Sequence, residues 1–382
     1  MMKKNVFKEI ARWVCYFIYR WLPKFDYAVV YGWPDYEDNV LALQEGLQRT
    51  RLRRVVLLVG DCSAALPFQL ESKVKSVRKS SLAAGWYFLF ARYLFFTHRC
   101  FMRRFPPNVV AVNLWHGMPV KRIGWMLEGN EGISSMYAVA TSEFWRPIIQ
   151  QAMQPFDRTL VCGLPRNDRL FIRGRNLWER IGATSAGRGQ KIIVWLPTYR
   201  KSVAGELRND GHESGNVFGM EGISADLFNQ FLLQNNAFAF VKPHPMASFP
   251  GGVQLSHLRI IDDHTLRQAG VSLHELLGAS DVLVTDISGV FVDYLLLDRP
   301  IIHSFPDVSA YRSSRGFSFE PVSEFFAGPL VESAAELFEV LGRTLQGEDS
   351  HQEQRGKIRD RFHDHPNGGS TRRLLEQIGL LP

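Results

Sequence analysis

Four short stretches carry side chains suited to acid–base or phosphate chemistry, and each follows an apolar run. In "NLWHGMPVKRIGW" (113–125), His116 and Gly117 precede the cations Lys121 and Arg122. "VWLPTYR" (194–200) ends in Thr198 and Arg200, and "VKPHP" (241–245) clamps His244 between two prolines. "VLVTDISG" (282–289) closes on Thr285, Asp286, Ser288 and Gly289. Imidazole is the side chain whose ordinary pKa suits proton transfer near neutrality, and flanking prolines restrict the backbone that presents it. Hydroxyls and free amides at a helix start suit an anion such as phosphate. An ordinary N-cap would use Asp286 or Ser288 equally well.

Other chemistries lack their signatures. There is no Walker loop, no GxGxxG fingerprint, no GxSxG elbow and no HExxH helix. The four cysteines (Cys15, Cys62, Cys100 and Cys162) are scattered, without a CxxC pair. That argues for reduced thiols and against a structural zinc site. No acidic cluster has the spacing of Mg²⁺ ligands, so no obligatory metal is expected.

The apolar runs that end in these residues alternate with helical stretches. Buried parallel strands are expected at 27–32, 54–60, 108–117, 136–143 and from 159, then at 191–200, 237–245, 258–262, 281–286 and 300–305. The polar segment between about 173 and 190 divides them. The expected organisation is an amphipathic segment 1–25, an N-terminal domain 26–180 and a C-terminal domain 190–382. The fold class is α/β, with two Rossmann-like domains facing a cleft. In such sheets ligands gather at the carboxyl ends of the strands, where all four stretches fall.

Charge is uneven. The 382 residues carry a net charge of +7, yet residues 1–106 hold 18 Lys+Arg against 8 Asp+Glu. No acid occurs between Ser72 and Leu127. Such a half meets phosphate, on anionic lipid or in nucleic acid, or is simply a solvated face. The opening "MMKKNVFKEIARWVCYFIYRWLPKF" mixes cations with Trp13, Tyr16, Phe17, Tyr19 and Trp21. Its apolar run is far shorter than the roughly 20 residues that span a bilayer. A helix lying in the headgroup region is expected. A second patch of this type is read at 85–105; two ordinary buried helices with basic edges are the alternative for the two patches, and Lys73, Lys75, Arg78 and Lys79 are expected to add lipid contacts.

Eight motifs in order resemble the CDP-glycerol glycerophosphotransferase family, which builds teichoic-acid-like poly(polyol phosphate) chains. They are "NLWHGMPVKRIG", "CGLPRNDRLF", "VWLPTYR", "VKPHP", "ASDVLVTDISGVFVDYLLLDRPIIHSFPD", "RGFSFE", "AGPLVES" and "HPNGGSTRRLLEQI", spanning roughly 108–378. The chain departs from the family's common pattern at Met118, Ile287 and Gly289. The resemblance implies a GT-B-like arrangement and a CDP-glycerol or other CDP-polyol donor held mainly by the C-terminal domain. It implies a catalytic pair, His116 and His244, with Thr285, Asp286, Ser288 and Arg315 meeting substrate phosphates.

The implied reaction transfers a polyol phosphate to a hydroxyl of a lipid-linked acceptor and releases CMP, in teichoic-acid-like or capsular polymer synthesis. It needs a base, cations for oxyanion charge and help for the leaving nucleotide. His116 is assigned as base, with Gly117 allowing close backbone approach and Lys121 with Arg122 adding positive potential; His244 assists the phosphate, and the two roles can be exchanged. The expected partners are the donor, the acceptor and an anionic membrane at the cytoplasmic face, bound peripherally; nucleic acid is not among them. Two other readings stay open. One is a GT-B glycosyltransferase using a nucleotide sugar, and the other is a non-catalytic protein that binds anionic polymer.

Overall fold

Among the described residues, thirteen short, mostly apolar strands form two wholly parallel sheets. The computed structural model describes residues 2–62, 72–100, 102, 104–127, 135–154, 157–174, 176–184, 186, 189–197, 217–243, 252–314 and 316–382. Expected site residues Thr198, Arg200, His244 and Arg315 lie outside the described residues, as does most of the loop at 201–222. Two compact units are present. The first comprises Met1–Pro119, Ile123–Arg169 and Phe362–Pro382, and the second Val120–Arg122 and Leu170–Arg361.

In the first unit the strands are β1 (Phe25–Tyr31), β2 (Arg54–Val59), β3 (Val74–Arg78), β4 (Ala91–Phe96), β5 (Val110–Asn113), β6 (Tyr137–Ala140) and β7 (Arg158–Val161). Their order is β3-β2-β1-β4-β5-β6-β7. The order reverses between β1 and β4, and such switch points are where ligands enter doubly wound sheets. Val29, Val56, Leu94 and Phe96 are buried in its core, each contributing about 1.5–3 kcal/mol.

The segment 85–105 differs from the expected amphipathic helix. The helix Leu82–Phe90 passes directly into β4, whose Tyr93 through Phe96 are buried beside β1. The basic run at 73–79 is largely β3, the edge strand. Lysine and arginine on an edge strand discourage pairing with a second sheet. Lys73 donates to the Thr50 carbonyl at 3.0 Å, and Lys79 to Asp35 at 2.5 Å and the Gly32 carbonyl at 2.9 Å. These two lysines are thus tied within the unit.

The opening helix, Met2–Trp21, packs on the same unit through Tyr19, which is fully buried. Its hydroxyl donates to the Phe88 carbonyl at 2.8 Å, and its ring stacks on Phe88. The opposite side of the helix leaves Ile10, Trp13, Val14, Phe17, Ile18 and Trp21 exposed. Their spacing of three and four residues makes one apolar stripe. Nearby in sequence to Phe88, Leu82, Trp86 and Leu89 are exposed on their helix as well. No helix of the described residues is long and apolar enough to cross a membrane.

The chain's last segment belongs to the first unit, not to the second half as the sequence boundaries place it. Asp168 is the reason. Its carboxylate accepts from the backbone N–H groups of Gly369 (2.7 Å), Ser370 (2.7 Å) and Thr371 (2.9 Å). These are donors that the first turn of the helix Ser370–Gln377 cannot satisfy itself. Phe362 adds a ring contact to Trp145, and Thr141 donates to the Phe362 carbonyl at 2.7 Å.

The second unit repeats the plan with β8 (Lys191–Leu196), β9 (Ala237–Val241), β10 (Leu258–Ile260), β11 (Val282–Thr285), β12 (Ile301–Ser304) and β13 (Leu330–Val331). Their order is β10-β9-β8-β11-β12-β13, again reversing at the middle. Trp195, Phe228, Val241 and Val284 sit in its core. Gly328 leads into β13, and a Cβ there would lie 1.7 Å from the Ile301 carbonyl oxygen. Only glycine fits so close to a neighbouring backbone.

Candidate active site

In the first unit, His116 follows β5 through a tightly held turn. Asn113 ends the strand, and its side-chain oxygen accepts from the Trp115 amide at 2.8 Å. Trp115 adopts φ +53°, a left-handed conformation that a bulky residue keeps only under constraint. Asn39 supplies part of that constraint: its amide donates to the Trp115 carbonyl at 3.1 Å, and its oxygen accepts from the Arg166 N–H at 3.1 Å. The buried Arg166 guanidinium in turn donates to the His116 carbonyl at 2.7 Å.

Gly117 has φ +135°, and a Cβ there would lie 2.7 Å from Arg166 Nη2. The close approach expected at this glycine is therefore made by the arginine that holds His116. The imidazole itself is exposed. Its Nδ1 lies 3.3 Å from the Thr97 carbonyl oxygen. A carbonyl only accepts, so Nδ1 carries the hydrogen, and the neutral ring keeps its lone pair on Nε2. That tautomer is the one a general base needs at Nε2.

A second imidazole, not singled out by the sequence, stands beside it. His98 follows β4, and its ring stacks on His116 with centroids 4.7 Å apart and planes inclined by 17°. Trp115 covers His116 at 4.1 Å, and Trp33 meets His98 edge-on at 5.7 Å. Burial, then the Lys79 ammonium, holds the His98 pKa down at about 4, so the ring is neutral near pH 7. The signal in the sequence was slight: a histidine two residues beyond an aromatic run, "LFFTH" (94–98).

The second unit gathers Lys121, Thr285, Asp286 and Ser288. Val120–Arg122 joins it through a bridge of Lys121 with Phe317, with Ser318 N–H donating to the Val120 carbonyl at 2.9 Å. Lys121 Nζ lies 3.4 Å from Asp286 Oδ2 and 5.0 Å from the Tyr311 ring centroid. Asp286 is 2% exposed and so engages the lysine from a buried position. Thr285 is fully buried, and its hydroxyl donates to the Leu196 carbonyl at 3.0 Å, tying β11 to β8. Ser288 caps the short helix Gly289–Tyr294, accepting from Val290 N–H at 3.3 Å, while Gly289 opens that helix.

His303 on β12 fixes the backbone of this turn and was also missed. The Ala327 N–H donates to its Nε2 at 3.1 Å, so Nδ1 carries the hydrogen and donates to the Asp286 carbonyl at 3.2 Å. Burial pushes its pKa down to about 4. Lys242, two residues before His244, is buried and paired with Asp263 at 2.9 Å. The structure thus brings His116 and Gly117 together in one unit and Lys121, Thr285, Asp286, Ser288 and Gly289 in the other.

Comparison with known proteins agrees with this plan. The chain is 25% identical over 335 residues to the teichoic acid poly(glycerol phosphate) polymerase of Bacillus spizizenii, covering 80% of this chain and 79% of that one. It is 25% identical over 293 residues to the teichoic acid ribitol-phosphate polymerase TarL of Staphylococcus aureus, covering 72% of this chain. There it spans about half of the relative, 48%. A solved structure of the wall teichoic acid polymerase TagF soaked with CDPG superposes with a TM-score of 0.72 at 19% identity, over 94% of this chain and 88% of that one. That likeness gives the fold, two Rossmann-like α/β units of GT-B-like class. The sequence profile described as CDP-Glycerol:Poly(glycerophosphate) glycerophosphotransferase matches residues 16–380, and the chain therefore belongs to that family of transferases.

Proposed function

We propose that the chain transfers glycerol phosphate, or a related polyol phosphate, from a CDP-activated donor to a hydroxyl of a lipid-linked acceptor and releases CMP. Teichoic-acid-like or capsular polymer synthesis is the setting. The observation that carries the reading is the family match over residues 16–380, within which His116 stands exposed with its lone pair on Nε2. The likeness to polymerases named for glycerol phosphate and for ribitol phosphate supports a polyol phosphate as the transferred group.

In this reading His116 takes the proton of the acceptor hydroxyl as it attacks phosphorus. Lys121, oriented by Asp286, supplies positive potential for the phosphates, and Ser288 and Gly289 line the turn next to it. Thr285 acts through the sheet, since its donor hydrogen is committed to Leu196. His244, Thr198, Arg200 and Arg315 complete the proposed set, with His244 assisting the departing nucleotide. No obligatory metal or other cofactor belongs to the proposal. The test offers purified protein CDP-glycerol, CDP-ribitol and nucleotide sugars with a lipid-linked acceptor and measures nucleotide release. CMP release from a CDP-polyol that depends on the acceptor is expected; release from sugar donors alone would overturn the reading.

The membrane is part of the same proposal. Ile10, Trp13, Val14, Phe17, Ile18 and Trp21 form an exposed stripe flanked by Arg20, and the Arg104 guanidinium lies 5.3 Å from the Trp13 ring centroid. Amphipathic helices of this kind bind the headgroup region reversibly, aided by about 1 kcal/mol per cation near an anionic surface. Peripheral binding at the cytoplasmic face follows. Co-sedimentation with anionic vesicles at low salt is expected to be strong, and weak with neutral ones. Phe17→Glu with Trp21→Glu is expected to abolish it; unchanged sedimentation of that variant would assign the stripe another role.

A further inference from the structure

Thr97 holds two imidazoles at once. Its carbonyl oxygen meets His116 Nδ1 at 3.3 Å, and its hydroxyl meets His98 Nδ1 at 2.9 Å. The same hydroxyl accepts from Trp33 N–H at 3.4 Å, which ties β1's loop to the end of β4. One fully buried residue thereby sets the two rings face to face at the switch point of the first sheet.

We infer that His98 is a positioning residue for the transfer reaction: stacked on His116, it fixes the plane in which Nε2 meets the acceptor hydroxyl and stabilises the imidazolium formed there. The inference rests on the proposed role of His116 as base. In the step, the acceptor O–H proton moves to His116 Nε2 while the oxygen lone pair forms the new O–P bond. The P–O bond to CMP breaks, and its electron pair leaves with CMP. His116 then carries a positive charge directly over the face of a neutral aromatic ring, which attracts it.

The surroundings keep His98 in that neutral state. Lys79, paired with Asp35, is the cation near it; Thr97 offers a hydroxyl and Trp33 an aromatic edge. Trp115 stands beside both rings, 4.1 Å from His116 and 6.0 Å from His98, and Arg166 holds the His116 carbonyl. A charged His98 would oppose the developing imidazolium, whereas a neutral one accommodates it.

The test uses the full chain, CDP-glycerol and a short-chain glycerol-phosphate lipid acceptor, with CMP release as readout. His98→Ala is expected to lower kcat about 10- to 100-fold with the donor KM unchanged, the scale of a misplaced catalytic group. His98→Phe keeps a flat ring and is expected to recover most of that loss; His98→Asn, which keeps a polar atom but no ring, is not. In a His116→Ala background, His98→Ala is expected to cost nothing further, because coupled residues are not additive. Normal kcat in His98→Ala, rescue by Asn equal to that by Phe, or additive losses in the double variant would each overturn the inference while leaving His116 as base. Normal turnover in His116→Ala alone would remove both.

Discussion

His116→Ala is expected to lower turnover by a factor of about 10² to 10⁴, the usual range for a lost general base. The geometry makes the loss chemical and not structural. The imidazole is exposed, and the turn beneath it is held by backbone and neighbouring groups: Asn113 on the Trp115 amide, Asn39 on the Trp115 carbonyl, Arg166 on the His116 carbonyl. None of these bonds uses the imidazole. The melting temperature should therefore fall only modestly, since what is lost is the imidazole's bond to the Thr97 carbonyl, worth about 0.5–1.5 kcal/mol, and its ring contacts. CMP release and a thermal melt on the same preparation check both halves. A near-normal rate would take His116 out of the mechanism, and a collapsed melt would make it a folding residue instead.

Gly328→Ala is expected to have the largest effect on stability. The added methyl would stand 1.7 Å from the Ile301 carbonyl oxygen and 2.7 Å from its carbonyl carbon. Both are backbone atoms of β12, so no side chain can swing aside. β12 and β13 would have to part, breaking the His303 N–H bond to the Pro329 carbonyl (2.8 Å) and the Ala327 N–H bond to His303 Nε2 (3.1 Å). Overpacking ordinarily costs about 1–3 kcal/mol. A clash with immovable backbone, together with buried polar groups left unmatched, belongs in the range above about 4 kcal/mol. Loss of soluble protein, or a large drop in denaturation midpoint, is the expected result. A variant that melts like the parent would mean that the loop before β13 can relocate.

Ten of the strands were legible because they are short apolar runs closed by glycine, proline or a polar turn. The three that were missed have physical reasons. β4 follows the helix Leu82–Phe90 with no intervening residue, so no turn marks the change from helix to strand. Its aromatics suit either state. β3 is a charged edge strand with only Val74 and Val77 buried, and β13 has two residues. The membrane-like reading of 85–105 arose from joining that helix and β4 into one amphipathic patch.

For the candidate site, the strand-end rule placed His116 after β5 and Asp286 after β11, where the structure has them. It missed what surrounds them, because His98, Asn39, Arg166 and His303 reach their partners through pairings distant in sequence. Ser288 had an ordinary N-cap alternative from the outset, and its hydrogen bond is that of a helix cap, while the Thr285 hydroxyl makes a sheet tie. "CGLPRNDRLF" and "HPNGGSTRRLLEQI" are two motifs in sequence and one interaction in space, Asp168 on the start of the last helix.

That interaction also orders events during synthesis. Asp168 and Thr371 are 203 residues apart, and at roughly 5–20 residues per second a ribosome needs about 10–40 s to pass from one to the other. Every residue of Leu170–Arg361 is translated within that interval, and Val120–Arg122 is already made. The second unit can therefore fold on the nascent chain while the first still lacks its closing helix. Until Leu374 and Leu375 arrive, the face of the helix Asp38–Gln48 that packs against the last helix stays open, so the first unit is the part of the molecule most in need of a chaperone.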